Sequence, residues 1–208
     1  NTGFCQGDPI NGEFEIYTTT DGGANWTAVA GGNIPNPLTG SEFGYTRQME
    51  VVGNSVWFTT SLGRVYHSTD KGLTWSVYQT PVPDFGGAVT TGSTGNLSFT
   101  SATVGLIIDD AGTVFESTDS GANWSTVTTT GSVFTNGLCY IEGTNIAFST
   151  GLTGSSYSED GGTTWNIIDT EQHLYVEFEN PSIGWSGWFN ADASNEGMWK
   201  WNNLNSAM

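Results

Sequence analysis

The sequence predicts an all-β chain built from repeated four-stranded antiparallel sheets, and three observations carry that prediction. One eight-residue pattern, [Ser/Thr]-x-Asp-x-Gly-x-[Asn/Thr]-Trp, occurs four times, at 19–26, 68–75, 117–124 and 158–165. Its aspartates, Asp21, Asp70, Asp119 and Asp160, are spaced by 49, 49 and 41 residues, a period that means stacked supersecondary units. Between the copies, short apolar or alternating runs are separated by Gly-, Asn- and Asp-containing turns, which is strand and hairpin patterning. The composition agrees: 29 Gly, 9 Trp, 7 Tyr and 11 Phe suit strands joined by tight turns and give little support to helices.

Taken in order, residues 1–11 read as loop, because Gly7, Asp8-Pro9 and Asn11-Gly12 interrupt any run. Residues 13–19 form a strand with Phe14, Ile16 and Tyr17 as its apolar members, and 26–30 leave the first motif as a second strand. A long loop over 31–41 contains Pro35 and Pro37. The first complete unit then has strands at 48–52, 55–60, 64–68 and 75–79, with Gly53-Asn54 and Leu62-Gly63 as turns. The next has strands near 88–91, 97–100, 105–109, 113–117 and 124–128; the third has them at 138–141, 145–150, 155–158 and 165–169. The last segment reads as strands at 173–178, 183–189 and 197–201. Four antiparallel strands per repeat followed by a longer loop describe the blade of a β-propeller. Blade repeats fall near 13–30, 47–79, 88–128, 138–169 and 173–201 of one domain covering 1–208. This gives about four blades, so the expectation is part of a larger propeller. The sequence has no Met at position 1 and no basic-then-apolar leader, and it reads as a mature or excised piece.

The repeated motif has a structural rationale. The aspartate ends a strand and its carboxylate accepts backbone N–H groups of the following turn. Gly23, Gly72, Gly121 and Gly162 supply a positive φ. Trp26, Trp75, Trp124 and Trp165 re-enter the sheet and bring large apolar area to the contact between blades.

These motifs resemble the Asp-box, or BNR, repeat family closely, and the resemblance covers most of the chain. Phe178, Asn180, Gly184 and Trp185 look like the F-x-N-x-x-x-G-W strand pair of photosystem II assembly-factor-like and related exported bacterial propellers, with a weaker form at Phe99 and Gly105. The resemblance implies that the boxes lie on turns between third and fourth strands and are structural. It implies little about activity, because sialidases, other glycosidases, receptors and non-enzymatic surface proteins share the box.

Charge narrows the partners. Twenty-one acids face 4 Lys and Arg, for a net charge of −17, a field that repels nucleic acid and anionic lipid. No apolar run approaches the roughly 18 residues that span a membrane, so no membrane insertion is expected. The expected setting is extracellular or cell-surface, on an exported bacterial protein. Cys5 and Cys139 are the only cysteines, and they are either one disulfide or two unrelated thiols. No metal site is expected: metal-ligand clusters are missing, and a calcium ion suggested by the acidity lacks the spacing of a known binding loop.

Any ligand is expected on the face opposite the boxes. Loop residues there are Tyr45, Arg47, Arg64, Asp84, Phe85, Asp109, Asp110, Phe134, His173, Tyr175, Trp188 and Asp192, with Tyr45, Arg47, Arg64, Tyr175 and Trp188 as the ligand-binding set. Sialidases hold the substrate carboxylate with three arginines, and this sequence has only Arg47 and Arg64. A hydrolase of neutral polysaccharide needs two carboxylates roughly 5–10 Å apart, for which Asp84, Asp109, Asp110, Glu177 and Glu179 are available. Neither His67, next to a box, nor His173, in a polar run, reads as a general base within a cluster. The expectation is a non-catalytic binding, adhesion or scaffolding propeller with a protein or glycan partner and no cofactor; the alternative is a glycoside hydrolase.

Overall fold

The computed structural model describes residues 1–86, 94–188 and 197–201. They form five antiparallel meanders. Sheet 1 contains β1 (Gly3–Ile10), β2 (Glu13–Thr19) and β3 (Thr27–Ala28). Sheet 2 contains β4 (Gly44–Val52), β5 (Ser55–Thr60), β6 (Arg64–Ser68) and β7 (Ser76–Gln79). Sheet 3 contains β8 (Gly95–Phe99), β9 (Gly105–Asp109), β10 (Val114–Ser117) and β11 (Ser125–Val127). Sheet 4 adds a short parallel edge, β12 (Thr130–Gly131), to β13 (Gly137–Tyr140), β14 (Ala147–Gly151), β15 (Gly154–Ser158) and β16 (Thr164–Asp169). Sheet 5 contains β17 (Tyr175–Asn180), β18 (Ile183–Gly187) and β19 (Met198–Trp201).

The sheets pack face to face in chain order. The first strands of sheets 2 to 5 stand side by side, with β4 against β8, β8 against β13 and β13 against β17. Middle strands are therefore covered on both faces, and every residue of β5 and β14 is buried. That explains why β5 carries the continuous apolar run Val56-Trp57-Phe58 rather than an alternation. Aromatic stacking joins one sheet to the next: Trp57 lies 4.0 Å from Phe99, and Phe148 lies 3.9 Å from Phe178. The F-x-N-x-x-x-G pattern has its cause here. Phe178 pairs with Gly184 and Phe99 with Gly105, and a Cβ on either glycine would come within 2.5 Å of the phenyl ring. Only glycine lets the ring lie flat across the neighbouring strand.

Two expectations need correction. Residues 1–11 are not a loop, since Gly3–Ile10 pairs with β2, and the Gly7–Pro9 irregularity is absorbed as a register shift. Cys5 and Cys139 do not pair: both are free, Cys5 exposed on β1 and Cys139 buried on β13, because sheets 2 and 3 pack in sequence between their sheets. The strand expected near 88–91 lies outside the described residues.

Candidate functional site

Backbone hydrogen bonds define two ends of the blades. At one end, the amides of Lys71, Ser120 and Gly161, each the residue after a box aspartate, donate to the carbonyls of Asn54, Thr103 and Asn145 in the turn joining the first two strands of that blade. At the other end, Thr80 in the loop leaving sheet 2 donates to Gly63 in the turn between β5 and β6.

The box end is closed upon itself. Asp70 accepts from the Ser68 hydroxyl at 2.7 Å, the Leu73 and Thr74 amides at 3.0 and 2.8 Å, and the Thr74 hydroxyl at 2.7 Å. Asp21, Asp119 and Asp160 repeat the arrangement. The box serine or threonine also accepts from the glycine amide, at 2.9 Å for Gly72. Hydrogen bonds from Asn25 hold Asp21 down at about 2. Bonds from Asn123 and from the Thr164 amide lower Asp119 and Asp160, and for Asp70 the hydrogen bonds from Thr74 and Ser68 outweigh partial burial. Trp75, Trp124 and Trp165 each donate their indole N–H to the box glycine carbonyl, at 2.8, 3.0 and 2.8 Å. The box glycines lie against the preceding sheet: a Cβ on Gly72 would meet Phe4, one on Gly121 Val65, and one on Gly162 Leu106.

The other end opens into a cavity of about 160 Å³ between the first strands of sheets 2 to 5. Tyr45, Arg47 and Glu50 of β4 face Tyr175 and Glu177 of β17 there, with Asn96, Asn136 and Leu138 on the intervening walls. Arg47 sits in the β4 irregularity between Gly44 and Met49 with φ 68°, a conformation that costs a non-glycine residue about 1–2 kcal/mol. Its guanidinium reaches across the cavity to lie 5.0 Å from the Tyr175 ring centroid, a cation–π geometry. Strain of this kind concentrates at functional sites. Tyr45 donates to Asp84 at 2.7 Å and Tyr175 to Glu177 at 2.8 Å. Burial, then the neighbouring carboxylate, raises both phenols. Burial and the Glu177 charge push Glu50 up to about 8.

Thus Tyr45, Arg47 and Tyr175 come together, with Asp84 and Phe85 at the same mouth. Arg64 does not. It is buried against Glu42, its guanidinium donating to both carboxylate oxygens at 2.9 and 2.6 Å. Thr60 and the Leu38 amide complete the Glu42 shell at 2.6 and 2.7 Å, so Arg64 anchors the long loop instead of meeting solvent. Trp188 is half-buried, its amide donating to the Gly197 carbonyl, and it does not line this cavity. Asp109 caps its own turn through the Ala111 and Thr113 amides. Asp192 lies outside the described residues. Among the described residues, no group of three or more His, Cys, Asp or Glu is placed to hold a metal ion.

One cluster went unread in the sequence. His173, buried at 2% exposure, has Asp169 Oδ1 3.0 Å from Nε2 and Ser186 Oγ 2.7 Å from Nδ1. It was missed because Ser186 arrives from a separate strand, and no local window contains all three residues.

No protein-family model matches the sequence, and none of the curated protein sequences matches it. Solved structures do share its fold. A structure of YCF48 bound to a D1 peptide superposes with TM-score 0.55 at 18% identity, covering 89% of this chain and 59% of that one. An ancestral GH74 enzyme gives 0.53 at 14% identity over 94% of this chain and 32% of its own. A mutant NanB sialidase from Streptococcus pneumoniae gives 0.52 at 15% identity over 91% and 35%. The chain therefore spans less than two thirds of each of these structures. Together with the sheets and boxes described above, the likeness shows the fold: a β-propeller of four-stranded antiparallel blades with Asp-box turns.

Proposed function

We propose that the chain is a binding or scaffolding propeller that takes a protein segment at the axial mouth opposite its Asp boxes. The carrying observation is Arg47, a solvent-exposed cation held in a strained backbone conformation above Tyr175. Against a net charge of −17, one positioned guanidinium flanked by Tyr45 and Tyr175 suits a carboxylate or backbone carbonyl, with aromatic edges for the flanking residues. That the similarly folded YCF48 is known bound to a D1 peptide supports peptide recognition by such a scaffold. The chain is taken to work in the extracellular or cell-surface setting expected of an exported bacterial protein, without a cofactor. A library of short peptides with free and amidated C-termini, alongside a glycan array, tests the reading. Saturable peptide binding that weakens at least tenfold in Arg47→Gln supports it; glycan binding alone, or peptide binding indifferent to Arg47, contradicts it.

A second reading rests on Glu50. A carboxyl raised to about 8 beside Glu177 is the type of unequal pair that glycosidases use. Yet the cavity of about 160 Å³ is smaller than the roughly 300–1,000 Å³ of ordinary ligand pockets. Release of reducing ends from neutral glucans, abolished in both Glu50→Gln and Glu177→Gln, would favour this reading over the first.

A further inference from the structure

A second cavity, of about 210 Å³, opens between sheets 4 and 5 and is lined by the residues of the unread cluster. Asp169 ends β16, His173 sits in the loop between the two sheets, and Ser186 stands on β18 between Val176 and Trp199 of the flanking strands. Both imidazole nitrogens have partners, so turning the ring over would forfeit two hydrogen bonds at once. With Nε2–H donating to the Asp169 carboxylate, Nδ1 keeps a lone pair directed at the Ser186 hydroxyl. Trp199 packs edge-on to the imidazole at 4.6 Å. Two buried polar atoms on the same lining, Thr150 Oγ1 and Trp201 Nε1, have no hydrogen-bond partner, and Thr150 is itself 2% exposed. Buried polar atoms are normally satisfied, so these two are exceptions beside the cavity.

We propose that Ser186, His173 and Asp169 form a nucleophilic site that hydrolyses small esters in this cavity. Nucleophile, base and orienting carboxylate are in hydrogen-bond sequence, with aromatic surface from Trp185, Trp199 and Trp201 for the acyl or alcohol group. Ser186 Oγ attacks the ester carbonyl carbon as its proton passes to His173 Nδ1. The carbonyl oxygen takes the displaced electron pair. The ester C–O bond then breaks, and the departing alkoxide takes the proton from Nδ1. Water next attacks the acyl carbon, giving a proton to Nδ1, and Ser186 Oγ leaves and recovers that proton. The net reaction is ester plus water to carboxylic acid plus alcohol. Asp169 is a positioning residue that holds the tautomer. None of these residues belongs to the axial mouth, so this activity and the binding role stand or fall separately.

The test is covalent labelling of the full chain by a fluorophosphonate, read by intact mass and peptide mapping, beside a p-nitrophenyl acetate assay. The expected result is a single adduct on Ser186, no adduct in Ser186→Ala, and competition by the ester. His173→Gln should slow labelling by about a hundredfold or more. Should that variant fail to fold, Asp169→Asn decides: slower labelling with an altered pH profile, partly restored in Asp169→Glu, supports the relay. A folded wild-type chain that takes no label, or equal labelling of Ser186→Ala, overturns the proposal. A labelling rate indifferent to Asp169 at every pH overturns the relay.

Discussion

At the box end, Asp21, Asp119 and Asp160 are largely open to solvent yet sit below the usual carboxylate range, each held by hydrogen bonds from its own turn. In the axial cavity, Glu50 is raised to about 8 by burial and by the Glu177 charge, which outweigh hydrogen bonds from the Phe99 backbone and, at 3.5 Å, from the Ser98 hydroxyl. Both are acids of the same chain near the ends of strands. The difference is the supply of amide and hydroxyl donors. The box carboxylates already accept hydroxyl and amide donors from their own turns, whereas the cavity holds two acids, a cation and two phenols in a space that is still open.

The sharpest way to break this contrast is to compare the two arginines. Arg64→Ala strips the partner from buried Glu42 and should lower stability by about 3–5 kcal/mol. Arg47→Ala removes an exposed side chain and should change stability by less than about 0.5 kcal/mol. Urea unfolding of the two variants measures the gap; equal losses would dissolve the distinction between scaffold and site.

Tryptophan provides the next comparison. Trp75 is 7% exposed and packs on Phe4 and Phe58, while Trp26, at the same place in the first box, is 46% exposed. Trp75→Ala should cost about 3–5 kcal/mol and Trp26→Ala less than about 1 kcal/mol. The box turn is thus local, but the burial of its tryptophan depends on the sheet it meets.

How much of this was legible follows from the range of each interaction. The box aspartates, with their side-chain partners within five residues, could be read from the sequence, and β5 announced itself by the run Val56-Trp57-Phe58. The mouth residues Tyr45, Arg47 and Tyr175 could be assigned to one face from blade topology alone. What could not be read were pairings made across the chain. Glu42 meets Arg64 from a loop 22 residues earlier, so Arg64 looked free. Ser186 reaches His173 from the next sheet, so His173 looked solitary. Strand β1 was hidden because Gly7 and Pro9 resemble turn residues yet occupy a register shift that its partner strand tolerates.

Acidity should act in opposite directions on the two classes of acid. The lowered carboxylates, Glu42 included, stabilise the fold above their unfolded values near 4, and that contribution is lost as pH falls through the folded values, about 2 for Asp21. Glu50 behaves inversely: stability is greatest below its ordinary value of 4.5, declines as pH rises towards about 8, and is level above. Glu50→Gln should flatten thermal stability between pH 5 and 8 while leaving the acid limb in place. An unchanged slope would show that Glu50 ionises freely.

The smallest effect concerns the residue after the box aspartate. Lys71 and Ser120 have φ of 63° and 67°, where the other two boxes use Gly22 and Gly161. Relief of the left-handed strain exceeds the added chain entropy only slightly, so Lys71→Gly should stabilise by about 0.5 kcal/mol. A clear loss in the same unfolding experiment would mean that the lysine side chain contributes more than its backbone costs.

The central claim, that the boxes build the propeller and the axial mouth binds, is tested most directly by measuring stability and peptide affinity together in Asp70→Ala and Arg47→Ala. Asp70→Ala should lose about 1–3 kcal/mol through unsatisfied turn amides while keeping affinity in the folded protein. Arg47→Ala should keep its stability and lose affinity at least tenfold. Lost binding with intact stability in Asp70→Ala would contradict the account and assign recognition to the box end.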